Sequence, residues 1–372
     1  MFMNESRSIL ERFAPGLDAE LARQGLTAME SKDPLALKAL IRQYRLPRLW
    51  VPTAFGGEGI SPYDGIRIQR ALGARAPSMA LMLTMHNFTV SFCSPLSRFV
   101  PSCAQMLRDV AMDGLLVASA FAEGRRGAGI LDSTVYLTPD GEGFRLNGQK
   151  KPCTMANSMD IITVGVALQG ADSVKHTGMA ILPARQKGVS RREFWRIPLL
   201  AAADNHELCF ENVHVTSDQL LLAAEDDRET AELVASAEVE GMGWFEIVAT
   251  ASYLGVVSAM AERVLRDERV DLGERAALGG EIECAQATLD GAVHMMETSP
   301  NDQGLLARVL MVRFAVQRVI ARCAMQAAEL AGGLAFIENA EMMTLLAGSR
   351  CLAFHPMSRK AAEPMLADWL KG

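Results

Sequence analysis

The hydrophobic periodicity of the chain changes twice along its 372 residues. Up to about residue 118 apolar residues recur at helical spacing, and from about 115 to 216 short runs of β-branched and aromatic residues alternate with turns. Beyond "TSDQLL" the helical spacing returns. This order predicts a mainly α protein with a central β domain, which we divide into residues 1–116, 117–218 and 219–372.

Local signals define several of these elements. Asp33 is a typical helix N-cap, and Pro34 suits the first helical position after it. The sequence "PDGEG" predicts a hairpin turn, and the repeated short strands suggest a small barrel or sandwich. The segment "WFEIVATASYLGVVSAMAERVL" is apolar nearly all round until Glu262, which is typical of a helix buried in the middle of a bundle.

Composition excludes several classes of partner. The 37 basic and 44 acidic side chains give a net charge of −7, so neither nucleic acid nor an anionic membrane is expected to bind. Seven scattered cysteines without a C-x-x-C pair indicate reduced thiols, with no disulfide framework and no metal site. The N-terminus lacks a continuous apolar core, and no stretch reaches the ~20 apolar residues of a membrane span. We therefore expect a cytoplasmic protein.

Several fragments of the sequence together carry a resemblance to a known family. They include "VPTAFGGEGISPYDG", "AFAEGRRGAG", "FRLNGQKKPCTMANSMDIITV", "LCFENVHV" and "LAGGLAF". In this order and spacing, the chain resembles the acyl-CoA dehydrogenase family over nearly its whole length. The resemblance implies an N-terminal helical domain, a small β-barrel and a C-terminal four-helix bundle. It also implies FAD held between the β domain and the bundle, in a homodimer or homotetramer.

The resemblance also implies which residues bind the flavin. Thr154 falls where a threonine of the family lies near flavin N5, and a hydroxyl donor would suit the electron density of the reduced ring. The alternative role for Thr154 is to satisfy the backbone of its own strand. Ala122 and Ala128 replace hydroxyl side chains that are common in the family's neighbouring turn. The remaining predicted cofactor contacts are Phe121, Ala122, Gly127, Pro152, Gly332 and Gly333.

The catalytic base of the family is absent from its usual positions in this chain. Family members remove an α-proton with a carboxylate while a hydride passes to the flavin. The usual base position, in the loop "FHPMSR", is Pro356, and the alternative position corresponds to about Phe245. Glu246 follows at the next helical position, rotated by about 100 degrees. The candidate catalytic residues are therefore Glu246 and His355, whose alternative role is to cap the preceding helix.

The same loop offers polar groups for a substrate. We predict that Ser358, Arg359 and His86 bind it, with His86 packed near the substrate cavity and not acting as a catalyst. A loop of this kind resembles the tailoring members of the family in polyketide and nonribosomal peptide pathways, as in colibactin or zwittermicin assembly. In those members an acyl carrier protein presents a short polar acyl group. A coenzyme A thioester is the alternative form of the substrate.

Three functions from different classes stay open at this point. The first is an FAD-dependent dehydrogenase that oxidises an acyl thioester tethered to an acyl carrier protein. The second is an ordinary acyl-CoA dehydrogenase or a flavin monooxygenase of the same fold, and the third is a catalytically inactive partner subunit. The missing base favours the first function over ordinary β-oxidation and keeps the third open.

Overall fold

The N-terminal part of the chain is helical, as its periodicity predicts. In the computed structural model, which describes residues 2–124, 133–169, 175–222 and 228–371, Asp33 caps the fourth helix by accepting hydrogen bonds from the amides of Leu35 and Ala36. The helices of this part are α1 Asn4–Phe13, α2 Leu17–Gln24, α3 Leu26–Glu30, α4 Pro34–Gln43, α5 Pro62–Arg75, α6 Pro77–Leu96 and α7 Pro101–Asp113.

The central part forms one mixed sheet. Its strands are β1 Val117–Ala120, β2 Tyr136–Asp140, β3 Gly143–Cys153, β4 Ile161–Gln169, β5 Lys175–Pro183, β6 Val189–Arg192, β7 His206–Thr216 and β8 Leu220–Leu222. The strand order is β6-β7-β3-β2-β4-β5-β8, and β1 pairs in parallel with β4. The predicted hairpin joins β2 to β3, with Asp140 opposite Gly143 and Gly141 at a φ of +62°.

The C-terminal part is helical again. Its elements are α8 Arg228–Leu265, α9 Leu272–Thr298, α10 Gln303–Glu338, α11 Ala340–Ser349, a 3-10 turn at Cys351–Phe354 and α12 Arg359–Lys371. Helix α8 packs against α5 and α6 as well as against α9, α10 and α11. Residues Glu232–Leu265 of α8 are long and apolar enough to cross a membrane, but their apolar window is wholly buried within the protein. The predicted fold class, mainly α with a central β domain, is confirmed.

Two glycines allow α5 and α8 to pack backbone against backbone. A Cβ atom at Gly73 would overlap the carbonyl oxygen of Ser252, and one at Gly255 would overlap the carbonyl oxygen of Arg70. Any larger residue at either position would force the two helices apart. This close approach fixes α8 against the N-terminal helices, and α8 carries three residues of the site described next, Phe245, Glu246 and Tyr253.

Candidate flavin and substrate site

The end of strand β3 and the segment after β1 lie side by side. The backbone amide of Lys151 donates to the carbonyl oxygen of Ala122 at 2.9 Å, which brings the segment of Phe121 next to the strand of Pro152 and Thr154. Pro152 is exposed and Phe121 is partly exposed, so both are available to a planar ring. Four of the predicted flavin residues therefore come together. Gly127, the fifth residue predicted in this region, lies outside the described residues.

The hydroxyl group of Thr154 has a fixed direction. It donates to Oδ1 of Asn205 at 2.7 Å, and Nδ2 of Asn205 donates to the carbonyl oxygen of Leu200 at 3.4 Å, which sets the orientation of the amide. The hydroxyl hydrogen is thus already used within the protein. We expected Thr154 to act as a donor, and this is corrected: toward a cofactor, its oxygen is an acceptor.

A buried ion pair lies beneath this segment, and the sequence did not reveal it. Lys150 and Glu123 are both buried and pair with each other, and Lys150 Nζ also donates to Ser133 Oγ at 3.0 Å. The backbone amide of Thr134 donates to the same Glu123 carboxylate at 3.2 Å. Alternation along β3 could have indicated that Lys150 points inward, but its partner 27 positions away could not be read from the pattern.

Helix α10 is interrupted at the predicted glycine turn. Gly332 has φ +82° and ψ 160°, which are not helical values, and neither Gly332 nor Gly333 would have an atom within 4 Å of an added Cβ. The backbone is therefore open to close approach at this point. The contact of these two glycines with the flavin stays a prediction.

His355 lies against aromatic side chains of α8. Its Nε2 atom is 2.7 Å from the hydroxyl oxygen of Tyr253, and its ring centroid is 5.9 Å from that of Phe245. Burial lowers the pKa of His355 to about 4, and the positive charge of Arg313 acts in the same direction. His355 is therefore neutral near pH 7. As a C-cap it ends the 3-10 turn through its backbone, while its side chain bonds to α8.

Glu246 anchors the loop that carries His355. Its carboxylate accepts a hydrogen bond from the backbone amide of Met357 at 2.8 Å, and its Oε2 is 3.1 Å from Nε of Arg313 on α10. Arg313 in turn donates to the carbonyl oxygen of Leu352 at 2.6 Å. Burial raises the pKa of Glu246 to about 7, against the opposing effects of Arg313 and the Met357 amide. Both carboxylate oxygens thus face the loop and α10.

The three residues predicted to bind substrate do not form a cluster. His86 is fully buried, with Nε2 2.8 Å from the carbonyl oxygen of Pro47 and with Nδ1 accepting from the amide of Val117 at 3.1 Å. Because both ring nitrogens are occupied, His86 joins α6 to β1 and has no hydrogen-bonding atom left for a substrate. Ser358 accepts from the amide of Ala361 at 3.2 Å at the start of α12.

Arg359 is exposed at the beginning of α12. Its guanidinium carbon lies 5.7 Å from the ring centroid of Phe314, which is also 4.8 Å from the guanidinium carbon of Arg313. Arg359 therefore stands on the outer side of the loop, whereas His355 stands on the side that faces α8. The predicted role of Arg359 in substrate binding stays a prediction.

Three rings form what we call the aromatic wall: Phe88 on α6, Phe245 on α8 and His355. Phe88 and Phe245 meet edge to face with their centroids 5.3 Å apart. Sequence reasoning missed Phe88, because a phenylalanine on an apolar helix looks the same whether it fills a core or borders a site.

The residues near Thr154 fit a flavin. Phe121 and Pro152 present accessible surface to the edge of an isoalloxazine ring. The Thr154 oxygen can accept an N–H, because its own hydrogen is donated to Asn205, and buried hydrogen bonds hold the backbone in place. Together, the fold and this site define a flavin-dependent oxidoreductase of the acyl-CoA dehydrogenase fold.

Comparison with known proteins identifies the family within this class to which the chain belongs. The chain is 35% identical over 374 aligned residues to isobutylamine N-hydroxylase of Streptomyces viridifaciens, covering 100% of this chain and 98% of that protein. It therefore belongs to the family of isobutylamine N-hydroxylase. No protein-family model matches the chain.

Solved structures share the fold at lower identity. KijD3 in complex with FMN and a dTDP-linked amino sugar has a TM-score of 0.83 at 18% identity, covering 99% of this chain and 94% of that one. Butyryl-CoA dehydrogenase of Megasphaera elsdenii has a TM-score of 0.80 at 16% identity, covering 100% and 97%. The predicted flavin cofactor is confirmed, and the predicted resemblance to acyl-CoA dehydrogenases is confirmed for the fold.

Proposed function

We propose that this protein is a flavin-dependent monooxygenase that hydroxylates the nitrogen of a small primary aliphatic amine. In the overall reaction, one atom of O₂ replaces a hydrogen of the amine as a hydroxyl group, and the other atom leaves as water. The two electrons and two protons that balance this change come from reduced flavin. The substrate class follows from the name of the relative that matches the whole chain.

One observation carries the choice of oxygenation over dehydrogenation. The carboxylate of Glu246 is engaged by Arg313 and by the amide of Met357, and Pro356 occupies the other position where a base is expected. An acyl thioester dehydrogenase needs a carboxylate directed at the α-carbon of its substrate. Hydroxylation of an amine needs no such base, because the nitrogen already carries a lone pair. We assign Glu246 a positioning role.

The loop also favours the form of the amine that can react. Burial and the charge of Arg313 together keep His355 neutral, and the same two effects lower the pKa of any cationic group bound beside it. An amine held next to His355 is thereby shifted toward its neutral form, with the lone pair available. When bound, reduced flavin supplies the electrons that activate O₂.

His355 is the residue that we propose contacts the substrate nitrogen. Tyr253 holds its Nε2 atom and Phe245 packs against its ring, so the imidazole has a single orientation. The Glu246–Arg313 pair fixes the backbone on either side of it, at Met357 and Leu352. Because these groups hold the His355 imidazole in one orientation, they also place the amine that binds to it, and a reacting atom must be held close to the atom with which it reacts.

The direct test is a product assay. Purified protein is given free flavin, a flavin reductase with NADH, O₂ and isobutylamine, and N-isobutylhydroxylamine is measured by mass spectrometry. We expect the product to depend on the protein and on reduced flavin. Absence of product with several short-chain primary amines, while NADH is consumed, would contradict the proposal.

A dehydrogenase acting on an acyl thioester, carried by an acyl carrier protein or coenzyme A, is the second candidate. It is favoured by the exposed Arg359 and Ser358 at the loop, which could meet a phosphopantetheine arm. The engaged carboxylate of Glu246 counts against it. Anaerobic mixing of the flavin-loaded protein with butyryl-carrier protein and with butyryl-coenzyme A distinguishes the two, because only a dehydrogenase bleaches the flavin.

We also propose that the chain acts as a homodimer or homotetramer. Leu334 and Ile337 are 69% and 81% exposed, and they directly follow the glycine turn of α10. Apolar side chains this exposed and this close together are typical of a contact surface. A second copy of the chain is the partner that we expect there.

A further inference from the structure

Two segments that line the predicted flavin site leave the regular sheet at the same place. Strand β1 stops pairing with β4 after Ala120, and Phe121 continues outside the sheet. The pairing of β3 with β7 shifts register between Lys150 and Cys153, so Pro152 lies in an irregular stretch of its strand. A flavin that rests on Phe121 and Pro152 therefore rests on backbone that the ladder hydrogen bonds do not fix directly.

The buried ion pair described above joins these two segments. Glu123 follows Phe121 by two residues, and Lys150 precedes Pro152 by two residues. The side chains of Lys150 and Glu123 pair with 0% and 2% of their surface exposed. The pair therefore spans the gap between the two segments, beside the backbone hydrogen bond that also joins them.

Further hydrogen bonds hold both charged groups in one orientation. The backbone amide of Thr134 donates to the Glu123 carboxylate at 3.2 Å, and the Thr134 hydroxyl donates to it as well. Nζ of Lys150 donates to Oγ of Ser133 at 3.0 Å, and that hydroxyl donates to the carbonyl oxygen of Gly165 on β4 at 2.7 Å. The two charges therefore cannot separate without breaking a network that reaches β4.

The same point of β4 supports Phe121. A Cβ atom at Gly165 would lie 2.7 Å from the Phe121 ring, so the ring lies directly against the backbone of β4. Replacing a buried ion pair by apolar residues of similar volume often stabilises a protein, so such a pair is weak evidence for a role in stability. Its place between the two segments that line the flavin site indicates a role in holding them.

We propose that Glu123 and Lys150 are the positioning residues of the flavin site: their ion pair clamps the segment after β1 to the irregular stretch of β3, so that both meet the isoalloxazine ring in one arrangement. This inference rests on the predicted place of the flavin and does not depend on which substrate is oxidised. Without the clamp, ordering of the two segments would be left to the binding step, and the affinity for flavin would fall by that cost.

The test is the neutral double variant Glu123→Gln, Lys150→Met, which keeps side chains of similar volume and buries no lone charge. The dissociation constant of oxidised FAD is measured by flavin fluorescence, the surroundings of the bound ring by its visible absorption band, and the fold by the melting temperature without flavin. We expect FAD to bind at least about tenfold more weakly and the visible band to change, because the band responds to the groups that contact the ring. The melting temperature should stay close to that of the wild type.

Two single variants complete the test. Thr134→Val removes one hydroxyl from the network and leaves both charges in place, so FAD should bind about threefold more weakly. This variant decides the matter if the double variant does not fold. Lys38→Met is the matched control, because Lys38 also pairs with a carboxylate of the β domain, that of Asp160 at 2.5 Å, but joins it to α4. It should leave the dissociation constant of FAD unchanged.

The outcomes also distinguish this inference from the proposed function. Wild-type affinity for FAD in the double variant, or in Thr134→Val where the double variant does not fold, would overturn the clamp, while product formation by the wild type would still support N-hydroxylation. Weaker binding with an unchanged visible band, or an equal loss of affinity in Lys38→Met, would also overturn it. A wild-type protein that binds no flavin would overturn both.

Discussion

Nε of Arg313 lies 3.1 Å from Oε2 of Glu246, so a buried ion pair joins α10 to α8. The pair holds the loop of His355 on both sides, through the Met357 amide and the Leu352 carbonyl. Glu246, one position after the place where a base is expected, therefore holds the loop, and the neutral His355 lies in the aromatic wall beside Phe245.

Breaking this pair should destabilise the protein strongly. Arg313→Met removes the charge at similar length and leaves the buried carboxylate of Glu246 without its cation, with only the Met357 amide bonded to it; loss of one partner of a buried ion pair typically costs about 3–5 kcal/mol. The free energy of unfolding in urea measures the effect. Arg318→Met, an exposed arginine of the same helix, is the matched control and should change stability by less than about 0.5 kcal/mol.

Adding Glu246→Gln to Arg313→Met should recover part of the loss, because the double variant no longer buries a lone charge. If the double variant is as unstable as the sum of the two single variants, the two residues act independently, and the account of a coupled anchor is wrong.

The stability of the protein should depend on His355 in acid. The pKa of His355 is about 4 in the folded chain and about 6.5 in an unfolded chain. The unfolded state therefore binds more protons between these values, so the contribution of His355 is present above pH 6.5 and is lost as pH falls to 4. Relative to His355→Gln, the wild type should lose about 3 kcal/mol over this interval.

The measurement is urea unfolding of both proteins at several pH values. His294→Gln, at an exposed position on α9, is the control and should follow the wild type throughout. Parallel stability curves for the wild type and His355→Gln would show that His355 is not kept neutral by the fold.

Thr154→Val should lower the reduction potential of the bound flavin. The Thr154 oxygen is available only as an acceptor, so it can stabilise an N–H that the reduced ring has and the oxidised ring lacks. Loss of one hydrogen bond of about 0.5–1.5 kcal/mol corresponds to about 10–30 mV for a two-electron couple. Thr163→Val, at a buried threonine of strand β4, is the control and should leave the potential unchanged. A potential that is unchanged or raised in Thr154→Val would place Thr154 away from the N–H.

Polar replacement of Leu334 and Ile337 should shift the protein toward a smaller species. The double variant Leu334→Ser, Ile337→Ser removes two exposed apolar side chains just after the glycine turn, and light scattering coupled to gel filtration reports the mass. Leu370→Ser is the control, since Leu370 is also 69% exposed but lies on α12. An unchanged mass in the double variant would remove this surface from the proposed interface.

The fold was predictable because its signals are local. A cap at Asp33, a hairpin turn at Gly141 and the change of period each depend on a few neighbouring residues, and the structure has all three. The missing base was also visible, since Pro356 cannot act as one. The role of the Thr154 segment in flavin binding was predicted through resemblance alone and stays a prediction, and the direction of the Thr154 hydroxyl was not predicted.

The rest of the site depends on contacts between distant parts of the chain. Glu246 and Arg313 are 67 positions apart on different helices, and no periodicity within either helix pairs them. One signal was available: Arg308, Arg318 and Arg322 lie largely on one face of α10, and Arg313 does not share that face. An arginine that lies outside the polar face of a core helix is buried, and a buried charge needs a partner.

The central claim is that oxygen is transferred to an amine, and a single turnover under ¹⁸O₂ tests it most directly. Flavin-loaded protein is reduced without air, mixed with isobutylamine and ¹⁸O₂, and analysed by mass spectrometry for product and by absorbance for flavin. The account predicts one ¹⁸O atom in the hydroxylamine for each flavin reoxidised. Reoxidation without labelled product, together with anaerobic bleaching of the oxidised flavin by butyryl-coenzyme A or butyryl-carrier protein, would contradict it and identify the protein as a dehydrogenase.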